Sequence, residues 1–280
     1  MWKQKIGISI NKEYNQPIEE VIAMLAQIGF DAISPTWCEE AHLRKVALLA
    51  KENNLALQSL HAPFGKAADM WSKDPAIYMP AKEELLRAAD ACKELNIPVM
   101  VVHAWIGFDY AFNADELCFA NFDELVQRAR ENGIKIAFEN TEGEEYLFAL
   151  LDCYKNDPTV GYCWDSGHEM CYNRCQDLLG MFGDRLLMTH INDNLGVSRF
   201  DGRIFWTDDL HLLPYDGIAD WEYNVQRLKK ANKIEYLNFE LNITSKPNRH
   251  ENDMYAALPL QQYFTLAYMR ACRIAHRYAN

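Results

Sequence analysis

The 280-residue chain is 49% hydrophobic and 24% charged, which excludes intrinsic disorder and leaves enough apolar side chains for a large core. Its formal net charge of −12 sets a long-range field against polyanions, so nucleic acid is disfavoured as a partner unless basic residues gather on one face. No run of about 18 apolar residues occurs, so no membrane span is expected, and Met1-Trp2-Lys3-Gln4-Lys5 leads straight into a strand-like segment with no leader pattern.

In chain order, short β-rich runs alternate with amphipathic stretches. The predicted order is strand 5–10, helix 17–28, strand 32–36, helix 39–53, strand 56–61, helix 81–95, strand 99–103 and helix 114–131. It continues with strand 135–140, helix 145–155, strand 160–165, helix 176–182, strand 186–192, helix 221–231, strand 236–241 and helix 259–278. Most strands are apolar at consecutive positions, as strands buried on both faces require. Pro17 stands where a first-turn proline is favoured, and Gly29 and Gly133 where helices end. Eight such units without a linker predict an α/β fold, a single (β/α)8 TIM barrel spanning residues 1–280 as one domain. The long irregular pieces, 64–80, 195–220 and 242–258, all follow strand ends, where such barrels build their sites.

The eight cysteines (38, 92, 118, 153, 163, 171, 175 and 272) contain no C-x-x-C pair and read as reduced thiols of a cytoplasmic protein. Cys171 and Cys175, four apart, are expected to pack on one helix face.

Chemistry concentrates at the strand ends. The third strand ends at His61, the fourth at His103, the fifth at Glu139-Asn140, the sixth at Asp165 with His168 following, the seventh at His190-Ile191-Asn192, and the eighth at Glu240. One histidine after an apolar run is ordinarily a hydrogen-bonded packing residue. Acids at the ends of buried strands are different, because an uncompensated charge there is costly. Carboxylate with imidazole at one barrel mouth is a ligand set for Mn2+, Mg2+, Co2+ or Zn2+. Asp209 and His211 in the seventh loop join this set as additional metal-ligand candidates.

On these residues the chain resembles the xylose isomerase-like barrel superfamily of sugar isomerases, epimerases and endonuclease IV-type enzymes, over essentially its whole length. The resemblance implies one divalent metal, Mn2+ favoured, held by Glu139, Asp165, His190 and Glu240. It further implies His168 at the substrate hydroxyls, Glu145, six residues after Glu139, as a substrate residue, and Glu139 and Glu240 as the catalytic pair. The pair would pass a proton through an enediolate and so isomerise or epimerise a sugar, keto-sugar or sugar phosphate. His61, His103, Trp105 and Arg203 complete the substrate-binding candidates. The mouth loops also carry Phe64, Trp71, Phe108, Tyr110, Phe205 and Trp206 as sugar-packing or mini-core aromatics. Arg199 and Arg203 read either as a grip for an anionic group or as a solvated pair. The superfamily pattern D-x-H-x-x-P-G-x-G departs at one position, where Tyr215 replaces the first glycine. A homo-oligomer is compatible with such barrels.

Two further readings stay open. His61, His103, Glu139, Asp165, His168, His190, Asp209, His211 and Glu240 supply every ligand of a trinuclear-zinc endonuclease IV-type phosphodiesterase, against which the acidic balance stands. A metal-dependent keto-sugar or inosose lyase (dehydratase) shares the same proton abstraction. A barrel that only binds metal or sugar is the non-enzymatic alternative.

Overall fold

The computed structural model describes residues 4–10 and 14–280, so Met1, Trp2 and Lys3 of the opening segment lie outside the described residues. The strands are β1 (Lys5–Ile10), β2 (Ala32–Pro35), β3 (Ala56–Leu57), β4 (Ser59–His61), β5 (Val99–His103), β6 (Lys135–Glu139), β7 (Val160–Asp165), β8 (Leu186–His190) and β9 (Tyr236–Phe239). They pair in the orders β3-β2-β1-β9 and β4-β5-β6-β7-β8. β3 and β4 are two halves of the predicted strand 56–61, interrupted at Gln58. The Gln58 amide lies 3.2 Å from Met188 Sδ and donates to the Tyr236 carbonyl at 3.3 Å. Parallel bridges Thr36–His61 and Ile191–Phe239 join the two sheets on both sides, closing the eight-stranded parallel barrel.

The two-faced burial of the strands explains their near-continuous apolar runs. All six positions of β7 are buried. Alternation then sorts the faces. Met100, Val102, Ile136, Phe138, Tyr162 and Trp164 pack outward in the large core between strands and helices, whereas Val101, Ala137, Cys163 and Met188 form a separate small cluster. Two residues further along that second face stand His103, Glu139, Asp165 and His190. The ladder register sets His103 opposite Glu139 and Asp165 opposite His190.

Helices α1 (Ile18–Ile28), α2 (Glu40–Glu52), α3 (Pro75–Glu94), α4 (Ala120–Asn132), α5 (Glu144–Cys153), α6 (Ser166–Cys171), α7 (Leu178–Phe182), α8 (Trp221–Lys230), α9 (Asp253–Ala256) and α10 (Leu260–Ala279) fill the connections. Gly29 (φ 118°) and Gly133 (φ 69°) terminate α1 and α4 as expected. The predicted start of α3 at 81 is corrected to Pro75. Asp74 caps it, accepting from Ala76 N at 2.9 Å, and Pro80 sits inside the helix rather than at its boundary. α4 starts at Ala120 instead of 114, because Ala114–Glu116 is a separate 3-10 turn. α6 ends at Cys171 and Cys175 has φ 56°, so these cysteines do not share a helix face; the first is buried and the second exposed. Among the described residues no helix is long and apolar enough to cross a membrane.

The segment after β8 is held from within. Asp193, fully buried, accepts hydrogen bonds from Asn194 N (2.9 Å), Ala219 N (3.0 Å), Tyr215 N (2.8 Å) and Trp221 Nε1 (2.9 Å). Gly217 passes so close that an added Cβ would lie 2.2 Å from Asp193 Oδ1. Tyr215 has φ 76°, so the left-handed backbone that glycine favours is kept despite the substitution, and the Arg273 guanidinium stands 4.0 Å above its ring. Arg249 Nη1 bridges to Asp208 Oδ1 at 3.2 Å, and Asn242 N donates to the His211 carbonyl at 2.9 Å.

Candidate metal centre and active-site cavity

The barrel mouth gathers Glu139, Asp165, His190 and Glu240 so that one donor atom of each lies within 4.8 Å of the others. His190 Nδ1 lies 2.7 Å from Glu139 Oε1 and 3.0 Å from Glu240 Oε2. Asn192 Nδ2 reaches both Asp165 oxygens, at 3.1 and 3.0 Å, while Asn140 Oδ1 accepts from Asp165 N at 2.8 Å. On one side, His61 Nε2 and His103 Nε2 stand 3.4 and 3.3 Å from Glu139 Oε2. On the other, His168 Nε2 lies 3.4 Å from Asp209 Oδ1, and His211 Nε2 lies 2.9 Å from the same carboxylate.

Four carboxylates are thus packed among five imidazoles. Burial opposes the charge on Glu139, yet His190 and the approach of His103 and His61 hold its carboxyl well below the usual range. Glu240 is likewise held at about 2, against burial, chiefly by the charge of His190. Asp165 moves up because burial dominates. Burial pulls His168 and His211 down, but Asp165 and Asp209 raise His168 well above its ordinary value, and Asp209 raises His211 to about 9. Glu139 Oε2 is buried without a hydrogen-bond partner. An unbonded carboxylate oxygen facing two imidazoles, beside a four-donor oxygen and nitrogen set, fits a divalent cation.

Above this cluster opens a cavity of about 520 Å3, lined from the cluster by His61, His103, His168, Asp209, His211 and Glu240, and around its rim by Phe64, Phe108, Tyr172 and Trp206. Glu139 is fully buried beneath His61 and His103, so Glu240 is the member of the expected catalytic pair at the cavity wall. Three expected substrate residues lie elsewhere. Trp105 stacks on Tyr146 at 4.1 Å in a small aromatic core, its Nε1 donating to the Gly107 carbonyl. Glu145 accepts from Tyr110 Oη at 2.9 Å, and Arg203 is paired with Asp201 at 2.7 Å; both border a separate cavity of about 600 Å3. For Glu145 the cause is Gly143, whose φ of 74° turns the chain into α5. Glu142, before that turn, therefore lines the central cavity, its Oε1 accepting from Gly107 N at 2.7 Å. Sequence reasoning missed Glu142 and Lys246 and gave Asn140 and Asn192, named at their strand ends, no role; the Glu-Gly step at 142–143 was the available signal for the first.

Residues 22–258 match the family model described as Xylose isomerase-like TIM barrel. The uncharacterized protein y4fM of Sinorhizobium fredii is 32% identical over 170 residues, which are 56% of this chain and 51% of that protein, so the chain spans about half the length of this relative. Among solved structures, the IOLI protein with a binding zinc atom superposes with a TM-score of 0.76 at 17% identity, covering 97% of this chain and 98% of that one. D-psicose 3-epimerase in the presence of D-fructose gives 0.72 at 15% identity, covering 98% and 99%. The apo form of 3-keto-D-glucoside 4-epimerase from E. coli gives 0.69 at 18% identity, covering 96% and 100%. At these identities the superpositions establish the fold, while the model match over most of the chain establishes the family. The chain belongs to the xylose isomerase-like TIM barrel family.

Proposed function

We propose that the protein is a divalent-metal-dependent isomerase or epimerase of a small sugar, keto-sugar or sugar phosphate. The observation that carries this reading is the convergence of Glu139, Asp165, His190 and Glu240 directly below a cavity whose wall includes one of the two glutamates. Family membership and the sugar epimerases among the structural neighbours support it.

The four residues would hold one cation, with Mn2+ favoured and Mg2+, Co2+ and Zn2+ admitted by the donor set; the zinc named for the IOLI protein keeps zinc in view. Such a cation supplies Lewis-acid polarisation of a substrate carbonyl and its neighbouring hydroxyl, which acidifies the C–H between them. The protein does the rest. Glu240, held ionised at neutral pH, is the carboxylate positioned to take that proton. Glu139 is the second base of the pair, and His61 and His103 cover it so that bulk water does not reach its oxygens. His168 and His211 line the facing wall with Nε2 toward Asp209 and Nδ1 on the Asn140 and Glu240 carbonyls, so they fix the Asp209 carboxylate there as an acceptor for substrate hydroxyls, and His168 reaches a hydroxyl by exchanging its longer contact to Asp209. Where the proton returns decides between epimerisation and ketose–aldose interchange; loss of a neighbouring hydroxyl instead would make the same site a dehydratase.

Glu240→Gln tests the assignment. With cation loaded, NMR-monitored deuterium exchange into a panel of ketoses should fall by about 10²–10⁴-fold. Undiminished exchange with the cation still bound refutes the role of Glu240.

A second reading rests on the flanking groups His61, His103, Glu139 and Asp165, His168, His211, which meet the central four from both sides. Together they would suit a trinuclear-zinc phosphodiesterase. Elemental analysis of protein purified without added metal separates the two: about one ion per chain favours the isomerase, whereas about three zinc ions with abasic-site DNA cleavage favour the phosphodiesterase.

A further inference from the structure

The wall of the central cavity is acidic at Glu142, Asp209 and Glu240, and among the described residues lining it Lys246 is the only lysine or arginine. Lys246 belongs to the segment between β9 and α9. Its ammonium lies 5.5 Å from the Trp206 ring centroid, and its side chain is 20% exposed. The nearest anion is Asp209 Oδ2 at 3.5 Å. That separation is long for a charge-assisted bond, which runs to about 2.7–2.9 Å. Asp209 moreover has a closer partner in His211 at 2.9 Å and a second in His168 at 3.4 Å. An ammonium carries three donors, and Asp209 and Trp206 are the only neighbours that engage this one among the described residues. The backbone around it is held in place: Ser245 Oγ donates to Asp253 at 2.6 Å and accepts from Asn252 N at 3.0 Å.

Fixing a long side chain at a cavity wall costs rotamer entropy, and a loose pair with a carboxylate that two imidazoles already approach returns little of it. A ligand anion on the cavity side of the ammonium restores the balance: Asp209 stands behind the charge and orients it, and Trp206 flanks it with a face suited to a sugar ring. The cavity volume of about 520 Å3 lies within the span of roughly 300–1,000 Å3 found for small-molecule sites and leaves room for a sugar with an added acidic group.

We infer that Lys246 is a specificity-determining residue that binds an anionic group of the substrate, a carboxylate or a phosphate, so that the substrate is an acidic rather than a neutral sugar. This rests on the reading of the cavity as a sugar site. The two sources of the anion share one chemistry and are separated by the probes. Binding of D-glucuronate against D-glucose, and of D-fructose 6-phosphate against D-fructose, is measured by calorimetry on the cation-loaded full chain, for the wild type, Lys246→Gln and Lys246→Arg. The expected result is that one anionic probe binds the wild type at least about tenfold more tightly than its neutral partner. Lys246→Gln abolishes that preference, Lys246→Arg keeps most of it, and melting temperatures show that all three proteins are folded. The probe showing the preference identifies carboxylate or phosphate. Equal or weaker binding of both anionic sugars to the wild type, no binding of either at millimolar concentration, or a preference that survives Lys246→Gln each overturns the inference. Deuterium exchange is read on the same samples. A Lys246-dependent preference without exchange in any sugar overturns the isomerase reading and leaves the anion site standing; exchange without preference does the reverse.

Discussion

Replacing Asp193 with asparagine leaves the size of the side chain unchanged and removes its charge, at a point where four donors converge on two oxygens. The asparagine carbonyl can serve two of those donors, while its NH2 points two hydrogens at the other pair. Each lost bond to a buried charged acceptor is worth about 1.5–3 kcal/mol, so the structure predicts a loss of about 3–6 kcal/mol. Against a typical total of about 5–15 kcal/mol this is severe. It corresponds to a melting temperature lower by about 6–24 °C for a domain of this size class. Urea denaturation followed by circular dichroism measures it, with Asp220→Asn, at an exposed helix start where asparagine caps about as well as aspartate, as the comparison expected to cost well under about 1 kcal/mol. A loss at Asp193 no larger than at Asp220 would refute the reasoning, because the four bonds would then be worth no more than those water provides to the unfolded chain.

Asn192→Ala removes the amide that holds both oxygens of Asp165, and cation affinity measured by chelator competition should fall by about 10–100-fold, with a lower melting temperature for the cation-free protein because the buried carboxylate loses its donor. Cation loading at pH 7 should release protons, because neighbouring acids hold His190, His168 and His211 above their ordinary range, His211 at about 9, and His190 must give up a ring proton to act as a ligand. Affinity therefore weakens as pH falls and strengthens as pH rises towards 9. Calorimetric enthalpies that do not vary with the ionisation heat of the buffer would contradict this.

The strands and the convergence of the candidate metal-ligand residues were legible for one physical reason. A strand buried on both faces must be apolar throughout, so Glu139, Asp165 and His190 stand out at its end, and two-residue alternation delivers them to one face. Glu240 follows the last residue of β9 and reaches the same point. Legibility failed where the backbone leaves that periodicity. Counting six residues from Glu139 selected Glu145, but the left-handed Gly143 puts Glu142 at the cavity and Glu145 beside Tyr110. Arg203 was chosen for its charge, and two residues away Asp201 satisfies that charge locally. Pro80 suggested a helix boundary, although it lies within α3, whose true start is set by Asp74 and Pro75. Asn192 follows His190 at the two-residue spacing, but its contact with Asp165 lies across space, and Lys246 has no periodic signature at all.

The bridge from Arg249 to Asp208, with the backbone bond from Asn242 to His211, couples the segment that carries Lys246 to the one that carries Asp209. Neither can be lengthened, shortened or exchanged without loosening the other. On the proposed role of Lys246, changes in 195–220 and 242–258 are expected to come in pairs, and a graft of either segment alone from a relative should yield a protein that folds but has lost the Lys246-dependent preference.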